Sequence, residues 1–329
     1  MTATTDRPTA RHRGTDHDAA VRVRDLVRTY PHPDGGSFDA VAGLSFDVQR
    51  GEVFALLGPN GAGKTTTLEI IEGLNLPTAG HAEVLGLDVV AHRERIKHRI
   101  GVQLQASSYF ELLTLREILV LFGSFYATRR DPEELLAAVG LAEKRNARVG
   151  QLSGGQAQRF SIVAALVNDP EIVFLDEPTT GLDPQSRRNL WDLVRQVNAE
   201  GRTVVLTTHY MEEAEALADR VAIVDHGRLV ALDTPAGLIG ALDGGHRIRF
   251  AVPHPVDARG LATLPGVADV TQRANGQQRY ELSVTDPAAA VPALFAWAAD
   301  VAIELTEVQV AAPTLEDVFL ARTGTRLRS

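Results

Sequence analysis

Residues 58–66 read Gly-Pro-Asn-Gly-Ala-Gly-Lys-Thr-Thr, and this stretch decides how the rest of the chain is interpreted. It matches the pattern G-x-x-x-x-G-K-[ST] at Gly58, Gly63, Lys64 and Thr65. The apolar run Val53–Leu57 before it is a predicted strand, and a predicted helix begins at Thr65. Glycines let successive backbone N–H groups curl around an anion, and the helix N-terminus adds partial positive charge. The sequence therefore predicts a site for nucleotide phosphates.

The positions of this loop have separate predicted roles. Lys64 can reach the β- and γ-phosphates, and the Thr65 hydroxyl can ligate Mg²⁺. The other loop positions line the phosphates: Gly58, Pro59, Asn60, Gly61, Ala62, Gly63 and Thr66. Only three of the 33 basic residues are lysines. A lysine at this position therefore favours a functional loop over an ordinary glycine-rich surface turn.

A pair of acids ends a second apolar run. Ile172–Leu175 is followed by Asp176 and Glu177, which places two carboxylates at the tip of a predicted buried strand. Asp176 can hold the Mg²⁺ shell, while Glu177 can polarise a water next to the γ-phosphate. The alternative is a strand end with two solvated acids. The position of the pair after Gly58–Thr65 along the chain favours the site.

A second glycine motif opens another helix. Leu152 is followed by Ser153, Gly154, Gly155 and Gln156, and the glycines expose backbone N–H groups at the start of a helix predicted over Gln156–Asn168. One nucleotide needs only one phosphate loop in each chain. The second cradle therefore suggests a nucleotide shared between two subunits.

The overall composition excludes several classes of protein. The net charge is −9 with no long basic run, which argues against sequence-independent binding of nucleic acid. The absence of cysteine excludes disulfides and thiolate metal sites and fits a reducing compartment. No apolar run approaches the roughly 18–20 residues that span a bilayer. We therefore expect any membrane role to require a partner chain.

The length of 329 residues predicts two domains. We expect a disordered tail over residues 1–20, an α/β domain over 21–235 and an α+β domain over 240–329. In the first domain, strands alternate with helices, which predicts a parallel sheet with helices on both faces. In the second, the predicted strands are Arg247–Val252, Gln278–Val284 and Val301–Gln309, and the predicted helices are Ala288–Ala298 and Leu315–Ala321.

From Val21 to Thr234 the sequence resembles the ATP-binding-cassette (ABC) ATPases. Five motifs occur in the family's order: the phosphate loop, Leu152–Gln156, Leu175–Pro178, Gly181–Asp183 and His209. The resemblance implies a P-loop NTPase fold of ABC type with a helical signature subdomain, followed by a small C-terminal α+β domain. It also implies that the chain binds ATP with Mg²⁺ and hydrolyses it.

The resemblance assigns further roles position by position. Tyr30 matches the aromatic residue that stacks on adenine, although a core tyrosine before a turn is an alternative. Gln105 matches the glutamine that senses Mg²⁺ and contacts the membrane partner, and Gln103 is the alternative two residues earlier. Asp183 matches the loop that links two ATP sites. His209 would contact the γ-phosphate and orient the attacking water, with Glu177 and Lys64 as the other catalytic residues.

Within the family, two stretches resemble drug-resistance exporter ATPases of the daunorubicin type. These are His209–Val221 and the tail Pro313–Gly324. The resemblance implies a homodimer in the ATP-bound state, separate transmembrane permease subunits and a peripheral position on the cytoplasmic face of the cell membrane. The alternatives are an importer ATPase, a soluble ABC ATPase of DNA repair or translation, and a regulatory module without turnover.

Overall fold

The structure, a computed structural model, describes residues 19–32, 34–104, 109–242, 245–274 and 278–323. The chain divides into two compact units, Met1–Leu229 and Val230–Ser329. This division lies a few residues before the predicted boundary at 235. Within the described ranges, no helix combines the length and apolar character that crossing a membrane requires.

The secondary structure elements are numbered in chain order. The strands are β1 Ala19–Pro31, β2 Ser37–Gln49, β3 Val53–Leu57, β4 Ala79–Val84, β5 Leu87–Asp88, β6 Ile100–Gln103, β7 Ile172–Asp176, β8 Thr203–Thr208, β9 Arg220–Asp225, β10 Arg228–Asp233, β11 His246–Val252, β12 Val267–Ala274, β13 Gln278–Val284 and β14 Thr306–Ala311. The helices are α1 Lys64–Ile71, α2 Arg93–Lys97, α3 Leu115–Gly123, α4 Pro132–Ala138, α5 Gly154–Ala165, α6 Pro184–Ala199, α7 Met211–Leu217, α8 Pro235–Gly240, α9 Ala258–Ala262, α10 Pro287–Asp300 and α11 Leu315–Thr323. Short 3₁₀ turns cover Ala142–Lys144 and Val149–Gln151.

A six-stranded sheet forms the centre of the first unit, in the order β10-β9-β3-β8-β7-β6. Neighbouring strands from β9 to β6 run parallel, and every residue of β3, β7 and β8 is buried. Strands buried on both faces need continuous apolar side chains, which is why these runs were recognisable in the sequence. The register places Asp176 beside Thr207, and Leu57 beside Thr208. The segments that follow three of these strands therefore meet at one edge of the sheet, where α/β proteins bind ligands.

A second sheet of the first unit has the order β2-β1-β4-β5 and is antiparallel. Its strand β1 corrects the predicted extent of the N-terminal tail. Ala19 pairs with Gln49, and the side chain of Ala20 is buried. Two small apolar residues thus extend the strand pairing into residues that the polar composition assigned to the tail.

The signature subdomain is helical and lies between β6 and β7 along the chain. Helix α5 contacts α3, α4 and α6. It begins at Gly154, two residues before the predicted start, because Ser153 caps it. The Thr114 side chain caps α3 in the same way, with Glu117 completing a capping box.

The second unit contains an antiparallel sheet in the order β12-β13-β11-β14. Its core consists of one face of this sheet and α10, with Ile248, Phe250, Tyr280 and Leu294 among the buried members. Helices α8 and α11 contact each other. The α+β class predicted for this part of the chain is confirmed.

One predicted strand of the second unit, Val301–Gln309, was wrong over its first half. Helix α10 ends at Asp300, and Ala302 adopts a left-handed conformation with φ 53°. The N–H of Ile303 donates to Ala298 and that of Ala302 to Ala299, the two bonds of a Schellman motif. The apolar residues after α10 therefore terminate a helix. Glycine, the usual sign of such an ending, is absent here.

Candidate functional site

The phosphate loop connects β3 to α1 and has a compact conformation. Lys64 folds across it, and its Nζ donates to the carbonyls of Gly58 and Pro59 at 2.8 and 3.0 Å. Gly63 has φ 95°, and a Cβ there would lie 2.1 Å from the Ala40 carbonyl oxygen. The first turn of α1 then presents N–H groups that have no acceptor within the helix. This geometry supports the predicted phosphate cradle.

Asp176 lies directly beside the loop. The hydroxyls of Thr65 and Thr207 both donate to its Oδ1, the former at 3.2 Å. The backbone N–H of Glu177 donates to the same Thr207 hydroxyl at 2.9 Å. Thr207 therefore holds the two acids in a fixed relation, although sequence reasoning gave it no role.

Glu177 brings the three predicted catalytic side chains together. Its Oε1 lies 3.4 Å from Lys64 Nζ, and its Oε2 lies 3.2 Å from His209 Nδ1. The Thr180 hydroxyl donates to Oε2 at 3.1 Å. Glu177 also has φ 46°, a strained backbone conformation of a kind that clusters at functional sites.

Three charged side chains of the site are buried, and their interactions with each other only partly offset the cost of that burial. Lys64 and Asp176 are each only 4% exposed, and Glu177 is 8% exposed. Burial lowers the pKa of Lys64, although the nearby Glu177 carboxylate opposes this shift. Burial also raises the pKa of Asp176, against the hydrogen bonds from Thr207 and Thr65. Such shifts in the pKa values of neighbouring buried groups are typical of catalytic and binding sites.

A cavity of about 370 Å³ opens over the loop. Its lining residues are Tyr30, Phe38, Ala40, Asn60, Gly61, Gly63, Lys64, Thr65, Thr66 and Glu177. The Tyr30 ring lies in the wall, with the Arg28 guanidinium 4.5 Å from its centre and the Phe38 ring 6.0 Å away. Its hydroxyl accepts from Asn75 Nδ2 at 2.6 Å. Tyr30 and Phe38 are therefore aromatic wall residues of the cavity, and the stacking of Tyr30 on adenine stays a prediction.

Phe38 and Thr180 were missed for different reasons. Phe38 reaches the cavity because it pairs with Tyr30 across two strands, and that register is not visible in a single sequence. Thr180 follows the acid pair closely, so a hydroxyl three residues after Glu177 was the available signal.

The Leu152–Gln156 motif does not line this cavity. The Ser153 hydroxyl accepts from the Gln156 N–H and caps α5, while Lys144 Nζ donates to Gln156 Oε1 at 2.9 Å. A Cβ on Gly155 would lie 2.8 Å from the Ser186 hydroxyl, so α5 begins against the start of α6. Both Ser153 and Gly154 are exposed at this end.

Asp183 is likewise outside the cavity and caps α6. Its carboxylate accepts from the N–H groups of Gln185 and Ser186 at 3.0 Å each and from the Ser186 hydroxyl at 2.6 Å. The bonds from Ser186 lower the pKa of Asp183. Asp183 and the Ser153 motif therefore lie next to each other, because Ser186 contacts both.

The predicted role of Gln105 lies outside the described residues. Its alternative, Gln103, is the last residue of β6, is 2% exposed and donates from Nε2 to the Leu104 carbonyl at 2.7 Å. The choice of Gln105 over Gln103 therefore stays a prediction.

A bound Mg²⁺ would find suitable ligands at Thr65 and Asp176. Their side-chain oxygens are 3.2 Å apart, and oxygen atoms are the ligands that this hard cation prefers. Among the described residues, no group of three or more His, Cys, Asp or Glu side chains could hold a metal. This composition fits a cation that one or two protein groups and substrate phosphates hold together.

The chain is similar to ATP-binding proteins of the ABC transporter family. The ABC transporter family model matches residues 41–180. The chain is 38% identical over 314 residues to the daunorubicin resistance ATP-binding protein DrrA2 of Streptomyces coeruleorubidus, covering 93% of this chain and 96% of that protein. It is 37% identical over 300 residues to the linearmycin resistance ATP-binding protein LnrL of Bacillus subtilis, covering 89% and 96%. It is 40% identical over 299 residues to a Nod factor export ATP-binding protein I of Rhizobium sp., covering 86% and 92%.

Solved structures share the fold of part of the chain. A dimeric post-hydrolysis state of the ATP-binding cassette MJ0796, bound to ADP and Pi, matches with a TM-score of 0.59 at 27% identity. The match covers 65% of this chain and 98% of that one. The predicted fold and the predicted ATPase activity are thereby confirmed. The chain belongs to the ABC transporter family, as an ATP-binding subunit that hydrolyses ATP.

Proposed function

We propose that this chain powers an exporter for a drug or a hydrophobic natural product, together with separate membrane-spanning subunits. The observation that carries the proposal is the match across 96% of DrrA2 and of LnrL, two proteins named for resistance to antibiotics. A third relative is named for Nod factor export. An importer ATPase would share the catalytic cluster, but no importer is among these three relatives.

We propose the following roles for the site residues, which their geometry supports. Lys64 neutralises the β- and γ-phosphates, and Thr65 and Asp176 hold Mg²⁺, which when bound neutralises charge on the phosphate oxygens. Glu177 orients the attacking water and accepts its proton. His209, 3.2 Å from the Glu177 carboxylate, holds that water in line with the γ-phosphate.

We propose further that two copies enclose the nucleotide head to tail. Ser153, Gly154, Gly155 and Gln156 do not line the cavity of their own copy, while the start of α5 is exposed and presents an anion-binding helix end. In the dimer this end would face the γ-phosphate bound by the other copy. Asp183, which adjoins the same end, would then lie at the dimer interface.

Mixing two variants tests whether each nucleotide site is formed by both copies. Lys64→Ala damages one half and Ser153→Arg the other, so a mixed dimer of the two variants keeps one intact composite site. Partial recovery of ATP-driven association in the mixture, measured on a sizing column, is expected. A mixture that behaves as the weighted average of the two variants at all ratios would argue against shared sites.

Membrane attachment would use apolar side chains around α3. Phe110 and Leu112, shortly before this helix, and Phe125, just after it, are 59%, 77% and 66% exposed. Contiguous exposed apolar patches mark protein–protein contacts, and we propose that these three side chains belong to such a patch. We place the chain at the cytoplasmic face of the cell membrane, where a membrane-spanning partner would cover them.

Export is tested in cells that express this chain with its candidate membrane subunits. Efflux of daunorubicin, followed by its fluorescence, should require the wild-type chain and should fail with Glu177→Gln at equal abundance. Polar substitutions at Phe110, Leu112 and Phe125 should reduce co-purification of the membrane subunits. Unchanged co-purification would contradict a docking role for these three side chains. Uptake in place of efflux would support the importer alternative.

A further inference from the structure

Glu213 is a fully buried acid outside the nucleotide cavity. Its exposed fraction is 0%, and it is the third residue of α7. Ala214 and Leu217 of the same helix are also buried, so an apolar residue would be the ordinary choice at this position. Burial raises the pKa of Glu213. Burying an ionisable group is unfavourable, so this carboxyl group calls for an explanation.

Its place on the helix differs from that of an ordinary first-turn glutamate. Such a residue commonly reaches back to the N-cap N–H. Here the N-cap is Tyr210, and its N–H donates instead to the Thr208 hydroxyl at 2.9 Å. Glu212 is exposed and remains available to the helix dipole. The Glu213 carboxyl group is thus directed into the protein.

There it faces the chain segments that carry the catalytic pair. The hydroxyls of Thr208 and Thr179 counteract the rise in the pKa of Glu213, although within the described residues neither Thr179 Oγ1 nor Glu213 Oε2 forms a hydrogen bond. Thr208 immediately precedes His209, and Thr179 follows Glu177 by two residues. Glu213 therefore lies where the Glu177 segment and the His209 segment meet.

Helix α6 contacts both Glu213 and Tyr210. The Trp191 indole Nε1 donates to Glu213 Oε1 at 3.2 Å. One turn earlier, the Arg187 guanidinium lies 4.3 Å from the centre of the Tyr210 ring, and that ring lies 4.1 Å from the His209 imidazole. Two contacts therefore connect α6 to the segment that follows His209, one at Tyr210 and one at Glu213.

We propose that Glu213 is a positioning residue for ATP hydrolysis, which ties α6 to the first turn of α7 and so keeps His209 against the Glu177 carboxylate. The proposal rests on the proposed role of His209 in orienting the attacking water. Glu213 does not line the nucleotide cavity, so its effect on the rate would be transmitted by other residues. Removing the carboxyl group should loosen the 3.2 Å approach of His209 to Glu177 without altering the phosphate loop.

Steady-state ATPase kinetics of the full chain test this. Glu213→Ala should lower kcat by about tenfold and leave KM for ATP within about twofold, because couplings through packed side chains typically change a rate by about two- to thirtyfold. Glu213→Gln keeps an oxygen acceptor for Trp191 and should restore most of the rate. Trp191→Phe keeps an aromatic side chain of smaller volume but removes the N–H donor, and should lower kcat by about threefold with KM unchanged. Val197→Ala, at another buried position of α6, is the matched control and should leave kcat unchanged.

A double-mutant cycle separates positioning from general destabilisation. If Glu213 acts through His209, adding Glu213→Ala to His209→Ala should lower kcat by less than about twofold. A further tenfold loss in that background would overturn the proposal, as would an unchanged kcat in both Glu213→Ala and Trp191→Phe. A His209→Ala variant with wild-type kcat would instead refute the role of His209 itself. If Glu213→Ala does not fold, kcat of Trp191→Phe, measured alone and in the His209→Ala background, tests the proposal by the same comparison.

Discussion

In the nucleotide-binding unit, Lys64, Asp176 and Glu177 are buried together at one edge of a sheet. The charged side chains of the C-terminal unit instead line a cavity of about 540 Å³ formed by residues of β11, β13, β14 and α11. In the first unit, burial moves the pKa of Lys64 down and that of Asp176 up, so the unit's own charges leave the burial partly uncompensated. A bound triphosphate with its cation would complete the compensation.

The three arginines that line the C-terminal cavity are paired with acids of the same unit. Arg247 contacts Asp317 at 2.7 Å, Arg249 contacts Glu281 at 2.8 Å and Arg279 contacts Glu307 at 2.8 Å. Partly exposed pairs of this kind contribute modestly to stability, and here they give each arginine of the cavity lining an acidic partner. The buried charges of the first unit therefore suit the binding of a charged ligand, whereas the paired charges of the C-terminal unit contribute to folding. The C-terminal cavity is nevertheless the larger of the two.

The strongest test of this contrast is Lys64→Ala. We expect near-complete loss of ATP turnover with the fold intact, because Lys64 acts as a point charge on the phosphates and its removal also relieves a buried cation. ATP hydrolysis and binding of a fluorescent ATP analogue measure the loss, and circular dichroism checks the fold. Lys97→Ala, at a lysine on the exposed helix α2, is the matched control. Undiminished hydrolysis by folded Lys64→Ala protein would remove the argument for the phosphate site.

Glu177→Gln should have the next largest effect. Hydrolysis should fall by roughly 10²–10⁴-fold while ATP affinity is retained, since the amide keeps the shape of the side chain but cannot accept a proton. Bound ATP would then persist, and the dimer should accumulate on a sizing column. Glu171→Gln, an exposed acid just before the same strand, should hydrolyse ATP normally. A monomer at saturating Mg-ATP would count against the head-to-tail dimer.

The predictability of the two units differs for a physical reason. Gly63 and Lys64 were predictable because the local backbone geometry of a phosphate loop requires those residue types in order. His209 and Asp183 were assigned by resemblance to the family, since no local pattern reveals a contact between residues distant in sequence. The role of Thr207 depends on the register of β7 against β8, and the position of Glu213 depends on how α6 packs against α7. Neither relation is encoded in a short window of sequence.

The C-terminal unit was predicted by periodicity alone, and its errors reflect that. Strands β11 and β13 alternate apolar and polar residues and were predicted within one residue. The start of β14 was misplaced because the apolar residues Val301 and Ile303 resemble a strand but terminate α10. Left-handed alanine is uncommon, so Ala302 gave no warning of the helix end.

A pH-dependent test sharpens the contrast between the units. Glu72, at the end of α1, is 5% exposed, and burial, followed by the charges of Asp176 and Glu69, raises its pKa to about 8. The folded state therefore holds a proton between 4.5 and about 8 that the unfolded state has lost. Its contribution to stability is full below 4.5 and declines as pH rises towards 8. Glu72→Gln should thus stabilise the chain by roughly 3 kcal/mol at about pH 7 and have little effect at low pH.

Urea unfolding at about pH 4 and about pH 7 measures this difference. The matched control is Glu281→Gln in the C-terminal unit, where Arg249 Nε lies 2.8 Å from the carboxylate. That substitution should destabilise at about pH 7, by up to about 1 kcal/mol, because it removes the partner of partly exposed arginines. Equal signs for the two substitutions at about pH 7 would contradict the distinction between compensated and uncompensated charge.

The smallest expected effect concerns the removal of the C-terminal unit. Truncation after Asp233 retains β10, the edge strand of the six-stranded sheet, and removes α8 and everything beyond it. Every residue that lines the nucleotide cavity, from Tyr30 to Glu177, precedes the cut, as does His209, for which we propose a catalytic role. The truncated chain should therefore bind ATP with a Kd within about twofold of the full chain, since no phosphate or base contact is lost. Titration with a fluorescent ATP analogue measures this, and Lys64→Ala in the truncated chain supplies the non-binding control. A Kd raised tenfold or more would show that the C-terminal unit supports nucleotide binding, and the separation of the two roles would fail.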